Sequence, residues 1–188
     1  NISNPLNNSY LDSNDFTLNY TYVETNPGFC WYSNDSGETN STTETMGTNW
    51  SLTGVEGSNN RTVYCNDTTN NINKSLPIYF TIDTTPPYFT DISNQTINNV
   101  TSLIYDINAT DDLTEVDCFT VNNTDFNIDC DGLLTNATAF PSDIYYINIT
   151  VNDSLNNINS TIMFVNFTAV PDTTPPYFVD IENQTINN

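Results

Sequence analysis

Residues 82–99 read IDTTPPYFTDISNQTINN, and residues 171–188 read PDTTPPYFVDIENQTINN. At an offset of 89 the two stretches differ only at 82/171, 90/179 and 93/182, a density of identity that marks a repeated module. The shared D-T-T-P-P can neither continue a strand ladder nor enter a helix. Adjacent prolines lack N–H donors, fix φ and push the preceding residue into an extended state. It reads as a short, stiff joint, after which Tyr88-Phe89 or Tyr177-Phe178 begins a strand. A fainter third copy opens the chain, where Asn1-Ile2-Ser3-Asn4 matches the pattern of Asp91-Ile92-Ser93-Asn94. The expected organisation is a module over 1–86, a second over 87–175 joined to it by the Pro-Pro linker, and 176–188 as the first strand of a following repeat. This is the pattern of a segment of a longer tandem array. Alternatively, the strand at 176–188 is donated to a neighbouring subunit.

Between the joints the chain alternates apolar and polar residues with a period of two, as half-buried strands do. Phe16, Leu18, Tyr20 and Tyr22 alternate with Thr17, Asn19 and Thr21. Asn26-Pro27-Gly28 turns the chain into Phe29-Cys30-Trp31-Tyr32. A polar loop over 33–48 follows, and Trp50, Leu52 and Val55 resume the core. Gly57-Ser58-Asn59 reads as a turn. In the strand that follows, Val63 and Cys65 face one way and Asn60, Thr62, Tyr64 and Asn66 the other. Ile78, Phe80 and Ile82 close the module. In the second module Leu103, Tyr105 and Ile107 alternate with Ile104, Asp106 and Asn108. Tyr145, Ile147, Ile149 and Val151 line one face of the next strand, with Tyr146, Asn148, Thr150 and Asn152 on the other. Residues 162–167 close it. Val116–Val121 and Phe126–Cys130 read as a hairpin around Asn123-Thr124-Asp125, with Cys118 opposite Cys130 and a cross-strand disulfide between them.

Composition narrows the function. With eleven Tyr, ten Phe and 37% hydrophobic residues, the chain can build two small cores. The formal net charge is −21, and the only basic residues are Arg61 and Lys74. Such a surface cannot neutralise phosphates, so nucleic acid is excluded as a partner, and attraction to anionic membranes fails for the same reason. No apolar run is long enough to insert into a bilayer. The loudest signal is N-x-S/T. Sequons begin at Asn1, Asn7, Asn19, Asn34, Asn40, Asn49, Asn60, Asn66 and Asn73. They continue at Asn94, Asn99, Asn108, Asn122, Asn136, Asn148, Asn152, Asn159, Asn166 and Asn183. Random placement of the 33 asparagines against this Ser/Thr content would give roughly eight. The expectation is a chain carrying covalent N-glycans outside the cell, at the cell surface.

The phrases FCWYSND, TNWSLTGVEGSNNRTVYCNDTTNNINKS and YFTIDTTPP resemble immunoglobulin-like modules found in tandem in archaeal and bacterial surface proteins. The resemblance implies two Greek-key β-sandwich domains, all-β, used for display, adhesion or assembly and not for catalysis. Where that family often has D-x-x-G-N in a turn, this chain has Asp67-Thr68-Thr69-Asn70-Asn71, and Asn tolerates positive φ well enough to replace the glycine. Cys30 and Cys65 then fall on the third and sixth strands, neighbours in one sheet of such a sandwich. An oxidising compartment favours their pairing, and the expected disulfide lies within a sheet, not between sheets as in antibody domains.

The second module resembles a cadherin-like repeat in ISNQTINN, LIYDINATDD, FNIDCDGLLTN and YYINITVNDSLNN. The resemblance implies calcium between domains, held by Asp111 or Asp112 of ATDD, Asp153 of VNDS and Asp172 of the joint. The interdomain D-x-N-D-N-x-P of cadherins is replaced by DTTPP, and the internal glutamate motif is missing. Asp111 and Asp153 read equally well as turn residues that bond their own backbone.

Catalytic chemistry is hard to assemble from this inventory. There is no His to activate a nucleophile. Asp111, Asp112, Asp129 and Asp131 could be paired as in glycoside hydrolysis, but they sit in turns with no cleft-forming insertion. The four cysteines split between modules without C-x-x-C spacing, which disfavours zinc. No cofactor is required. The sequence therefore reads as a structural segment of an extracellular filament or stalk whose partners are neighbouring copies of the same repeat. The alternative is an adhesin binding carbohydrate or protein, with calcium at its joints.

Overall fold

The computed structural model describes residues 1–177, so the expected following strand and the sequon at Asn183 lie almost wholly or wholly outside the described residues. The first module contains β1 (Ile2–Asn4), β2 (Ser9–Leu11), β3 (Asp15–Tyr20), β4 (Pro27–Ser33), β5 (Glu44–Thr45), β6 (Trp50–Thr53), β7 (Gly57–Asp67), β8 (Ile72–Lys74) and β9 (Ile78–Ile82). The second contains β10 (Tyr88–Asp91), β11 (Gln95–Asn98), β12 (Ile104–Asp106), β13 (Asn108–Thr110), β14 (Val116–Val121), β15 (Phe126–Ile128), β16 (Leu133–Asn136), β17 (Asp143–Asp153) and β18 (Ile158–Thr168). Every regular element among the described residues is a strand, as the period-two patterning demands.

Each module is two layers of sheet face to face. In the first, β1-β3-β6 oppose β2-β9-β7-β4-β5, with β8 also on β7. In the second, β10-β13 and β12-β16-β15 oppose β11-β18-β17-β14. The opening of each module splits between the sheets. β1 and β10 pair antiparallel with β3 and β13, while β2 and β11 pair parallel with the closing strands β9 and β18. This is the all-β sandwich architecture expected from the sequence.

The larger core lies in the second module, where Ile147, Ile149, Val151, Val165 and Phe167 are all but fully buried. Phe140 stacks on Phe167 at 4.6 Å and on Phe126 at 5.0 Å. In the first module Trp50 stacks on Tyr20 at 5.3 Å and packs with Leu18 and Val63 over Cys30. Arg61 is buried beside this cluster. Its guanidinium lies 5.3 Å from the Phe16 ring centroid and 6.0 Å from those of Tyr32 and Phe80, Nη1 donates to the Asn60 carbonyl at 2.6 Å, and Nε is buried without a partner. Burial drives its pKa below the ordinary arginine value, opposed by Tyr32.

Several sequence expectations change. Val55 is exposed, because the chain turns at 54–56, earlier than Gly57-Ser58-Asn59, which already belong to β7. Asn59 is buried instead and donates to the carbonyls of Val55 and Gly57 at 2.6 and 2.9 Å, which holds that earlier turn. Thr62 is buried as well, since this long strand leaves β9 for β4 at that point. The hairpin expected over 116–130 does not form. β14 pairs with β17, whereas β15 pairs with β16 in the opposite sheet. Phe126 is drawn inward by the Phe140 stack, and the Cys118–Cys130 disulfide therefore joins strands and turns of different sheets. The other disulfide is as expected, with Cys30 directly opposite Cys65 in the β4–β7 ladder.

Candidate cation site at the joint

The turn after β7 and the turn after β17 are built alike from Asp-x-x-Asn-Asn. In the first, Asp67 Oδ1 accepts from the backbone N–H groups of Thr69 and Asn71 at 2.8 and 2.9 Å, and Oδ2 accepts from Asn71 Nδ2 at 2.7 Å. These bonds hold the Asp67 pKa down to about 2. In the second, Asp153 Oδ1 accepts from Leu155 and Asn157 N–H at 2.9 and 2.8 Å, and Oδ2 from Asn157 Nδ2 at 2.8 Å. Asn70 and Asn156 take positive φ of 67° and 66°, the left-handed conformation that Asn tolerates better than most residues.

At the second turn the joint adds a third party. Asp83, immediately after β9, turns its carboxylate toward the second module and is fully buried, as is Asp153; Asp111 is partly buried. Asp83 Oδ1 accepts from Thr85 N–H at 3.1 Å, and Oδ2 from Thr114 Oγ1 at 2.7 Å. Thr114 N–H and Leu113 N–H in turn donate to Asp111 Oδ1 at 2.8 and 2.9 Å. Asn157 Nδ2 donates to the Asp83 carbonyl at 3.0 Å. Carboxylate oxygens of Asp83, Asp111 and Asp153 all lie within 4.8 Å of one another. Burial raises the Asp83 pKa, and the neighbouring charges of Asp111 and Asp153 add to it against the hydrogen bonds from Thr114 and Thr85.

Oxygen ligands at about 2.3–2.6 Å from one Ca²⁺ stand at most about 5 Å apart, so this spacing suits a single hard cation. Each carboxylate keeps acceptor capacity beyond its present hydrogen bonds. The chain's two cations cannot neutralise the cluster: Arg61 is sequestered among aromatic rings and Lys74 Nζ lies over Tyr64.

Of the four acidic residues that the sequence suggested for calcium, Asp111 and Asp153 meet here. Asp112 is exposed and lines the adjoining cleft with Glu56 and Asp83. Asp172 follows β18, whose eleven residues at about 3.3 Å each put it on the order of 35 Å away. Its Oδ1 accepts from Thr174 N–H at 2.9 Å, the same turn that Thr85 closes on Asp83, but it is exposed. The third member is thus Asp83, whose place in the repeat is the same as that of Asp172.

Glu56 was not singled out from sequence. It clasps the joint from the first module, accepting from Thr84 N–H at 3.0 Å, Thr84 Oγ1 at 2.8 Å and Thr85 Oγ1 at 2.9 Å. Desolvation alone would raise its pKa, but the bonds from Thr84 and Thr85 outweigh this and lower it. Asn159 Nδ2 donates to the Pro87 carbonyl at 3.0 Å from the other side. Both prolines are therefore flanked by anchored residues.

The sequon asparagines spread over both modules, and none of the eighteen among the described residues is buried. Asn152 Nδ2 is engaged by Asp117 Oδ2 and the Asp153 carbonyl at 3.1 and 3.0 Å. Asn19 Oδ1 is buried without a partner.

No family model and no curated protein matches the chain. Solved structures do. The fibronectin(III)-like modules of Clostridium thermocellum CbhA are 12% identical, covering 94% of this chain and 99% of that one, with a TM-score of 0.46. Sidekick-1 immunoglobulin domains 1–5 are 14% identical over 86% of this chain and 37% of theirs, with a TM-score of 0.47. Drosophila N-cadherin EC1-4 is 12% identical over 88% and 47%, with a TM-score of 0.43. The chain thus spans less than half of the latter two.

Proposed function

We propose that this chain is a structural segment of an extracellular, N-glycan-coated filament or surface stalk built from tandem immunoglobulin-like sandwiches. One observation carries the reading: Asp83 leaves the first module yet buries its carboxylate in the second, between Thr114 and the Asp111–Asp153 pair. A joint built in this way fixes the angle between neighbours, and the same D-T-T-P-P recurs at 172–176. Ca²⁺ bound by Asp83, Asp111 and Asp153 would neutralise the buried charge and lock that angle. Sugars on outward asparagines would obstruct edge-to-edge pairing of sheets, the main aggregation route for exposed strands.

Cryo-electron microscopy of native surface material tests the proposal. The expected image is an extended string of beads with branched density beyond most sequon asparagines. Bare asparagines on a compact particle would overturn it.

The adhesin reading has one observation in its favour. Trp31 and Tyr64 stack on the outer face of β4 and β7 with centroids 5.9 Å apart and planes 6° apart, a surface on which a sugar ring could rest. Binding of free oligosaccharides that is lost in Trp31→Ala would favour that reading.

A further inference from the structure

The outward face of the β17–β18 hairpin carries more apolar surface than a solvated sheet needs. Tyr146 is 69% exposed, Ile162 71% and Ile144 46%. Tyr146 stands directly opposite Phe164, their rings edge to face with centroids 6.0 Å apart. Two sequons lie in the same patch. Asn148, of Asn-Ile-Thr, is two residues beyond Tyr146 and faces Ile162; Asn166, of Asn-Phe-Thr, is two residues beyond Phe164 and faces Ile144. The ladder is antiparallel, so the two halves are related by a local two-fold. Each asparagine has an aromatic ring two places back on its own strand and an isoleucine across from it.

Residues two apart on a strand share a face and stand about 6.6 Å apart. A sugar attached to Nδ2 and leaning back along its strand therefore comes over the neighbouring ring. A pyranose carries one face of axial C–H groups with partial positive charge, and an aromatic ring has a negative π face. We propose that Tyr146 and Phe164 are built-in platforms for the first sugar of the glycans on Asn148 and Asn166, so that the exposed apolar patch is covered by the chain's own N-linked pyranoses. Thr150 and Thr168 complete the two sequons on the same face. The inference rests on the reading of the sequons as occupied.

The test uses the full chain secreted from a host that attaches N-glycans, with occupancy read by glycopeptide mass spectrometry and stability by thermal unfolding. Sugar is expected on Asn148 and Asn166. Asn148→Gln should lower the melting temperature by several degrees, whereas Asn40→Gln, in the polar loop, should leave it unchanged. In a Tyr146→Thr background the Asn148→Gln effect should vanish, while Tyr146→Thr on unglycosylated chain should show only the smaller loss of the ring pair with Phe164. Nuclear magnetic resonance should show ring-current shifts of the Asn148 sugar protons that disappear in Tyr146→Thr. An Asn148→Gln effect of the same size in both backgrounds, or unshifted sugar protons, would overturn the platform and leave glycosylation standing. Sugar on other sequons but on neither of these two would do the same. Absence of sugar from every sequon would overturn both.

Discussion

The side-chain amide of Asn157 bonds the backbone carbonyl of Asp83 across the joint, at 3.0 Å, and the Asp153 carboxylate at 2.8 Å. One residue of the second module therefore fixes both its own turn and the exit of the first. Asn157→Ala removes both bonds and leaves a buried carbonyl and a buried carboxylate oxygen short of a donor. The expected loss is about 2 kcal/mol from the second module. Residual dipolar couplings should also show that the modules reorient independently, which they would not do if the turn alone were weakened.

The pKa of Asp83 gives the joint a pH dependence of defined sign. Its folded pKa is raised above 3.8, so the folded state holds the proton more tightly. Without metal, stability falls as pH rises from the unfolded value through the folded one, and is level above it. Asp67 works in the opposite direction: its contribution is complete above 3.8 and is lost as pH falls toward about 2. Thermal unfolding in chelator should show the first slope in wild type and not in Asp83→Asn.

Calcium should reverse the cost of that burial. Titration calorimetry on the whole chain is expected to show one site, abolished by Asp153→Asn and weakened by Asp83→Asn, with Asp112→Asn behaving as wild type. Equal binding by all three variants would place any bound ion elsewhere on this acidic surface.

Arg61 is a buried cation with no carboxylate beside it among the described residues and an unpartnered Nε. Replacing such a group by an apolar side chain of similar volume relieves a desolvation cost. Arg61→Met should therefore leave the melting temperature unchanged or raise it. Arg61→Ala, which opens a cavity beside Phe16, Tyr32 and Phe80, should cost about 2–4 kcal/mol.

The disulfides close chain segments of 35 and 12 residues, worth about 4 and about 3 kcal/mol on chain-entropy grounds. Cys30 is fully buried, whereas Cys130 is exposed. Mild reductant followed by alkylation should label Cys118 and Cys130 first, and Cys30 and Cys65 only as the first module unfolds.

Strand faces were legible because burial on one side of a sheet leaves an alternating sequence. The positive φ at Asn70 was legible too, since the turn needs a residue that tolerates it. The fate of residues 122–130 was not. Asn-Asn-Thr-Asp suits a hairpin equally well, and only the packing of Phe126 on Phe140, fourteen residues later, sends the chain to the other sheet. At the joint, Asp111 and Asp153 were suggested by the cadherin-like phrases ATDD and VNDS, and the residue that the structure brings to them is Asp83 and not its counterpart Asp172 in the next copy of the joint. A joint aspartate belongs by sequence to the module it leaves, but its carboxylate serves the module it enters. Glu56 and Arg61 sit where no periodic pattern points to them. Glu56 lies in an exposed turn, and Arg61 at the crossover of a strand between two partners.

The parallel pairing of opening and closing strands bears on how such an array would respond to pulling. Ser9, Tyr10 and Leu11 run alongside Phe80, Thr81 and Ile82 in the same direction, and Gln95 to Asn98 alongside Val165 to Thr168. Tension applied through the joints draws the two strands of each pair past one another lengthwise. The bridging hydrogen bonds are then strained together and not peeled one at a time, so rupture requires a higher force than an antiparallel pair unzipped from its end. In such an array each sandwich would act as a clamp against extension, with the Asp83 joint as the link between clamps.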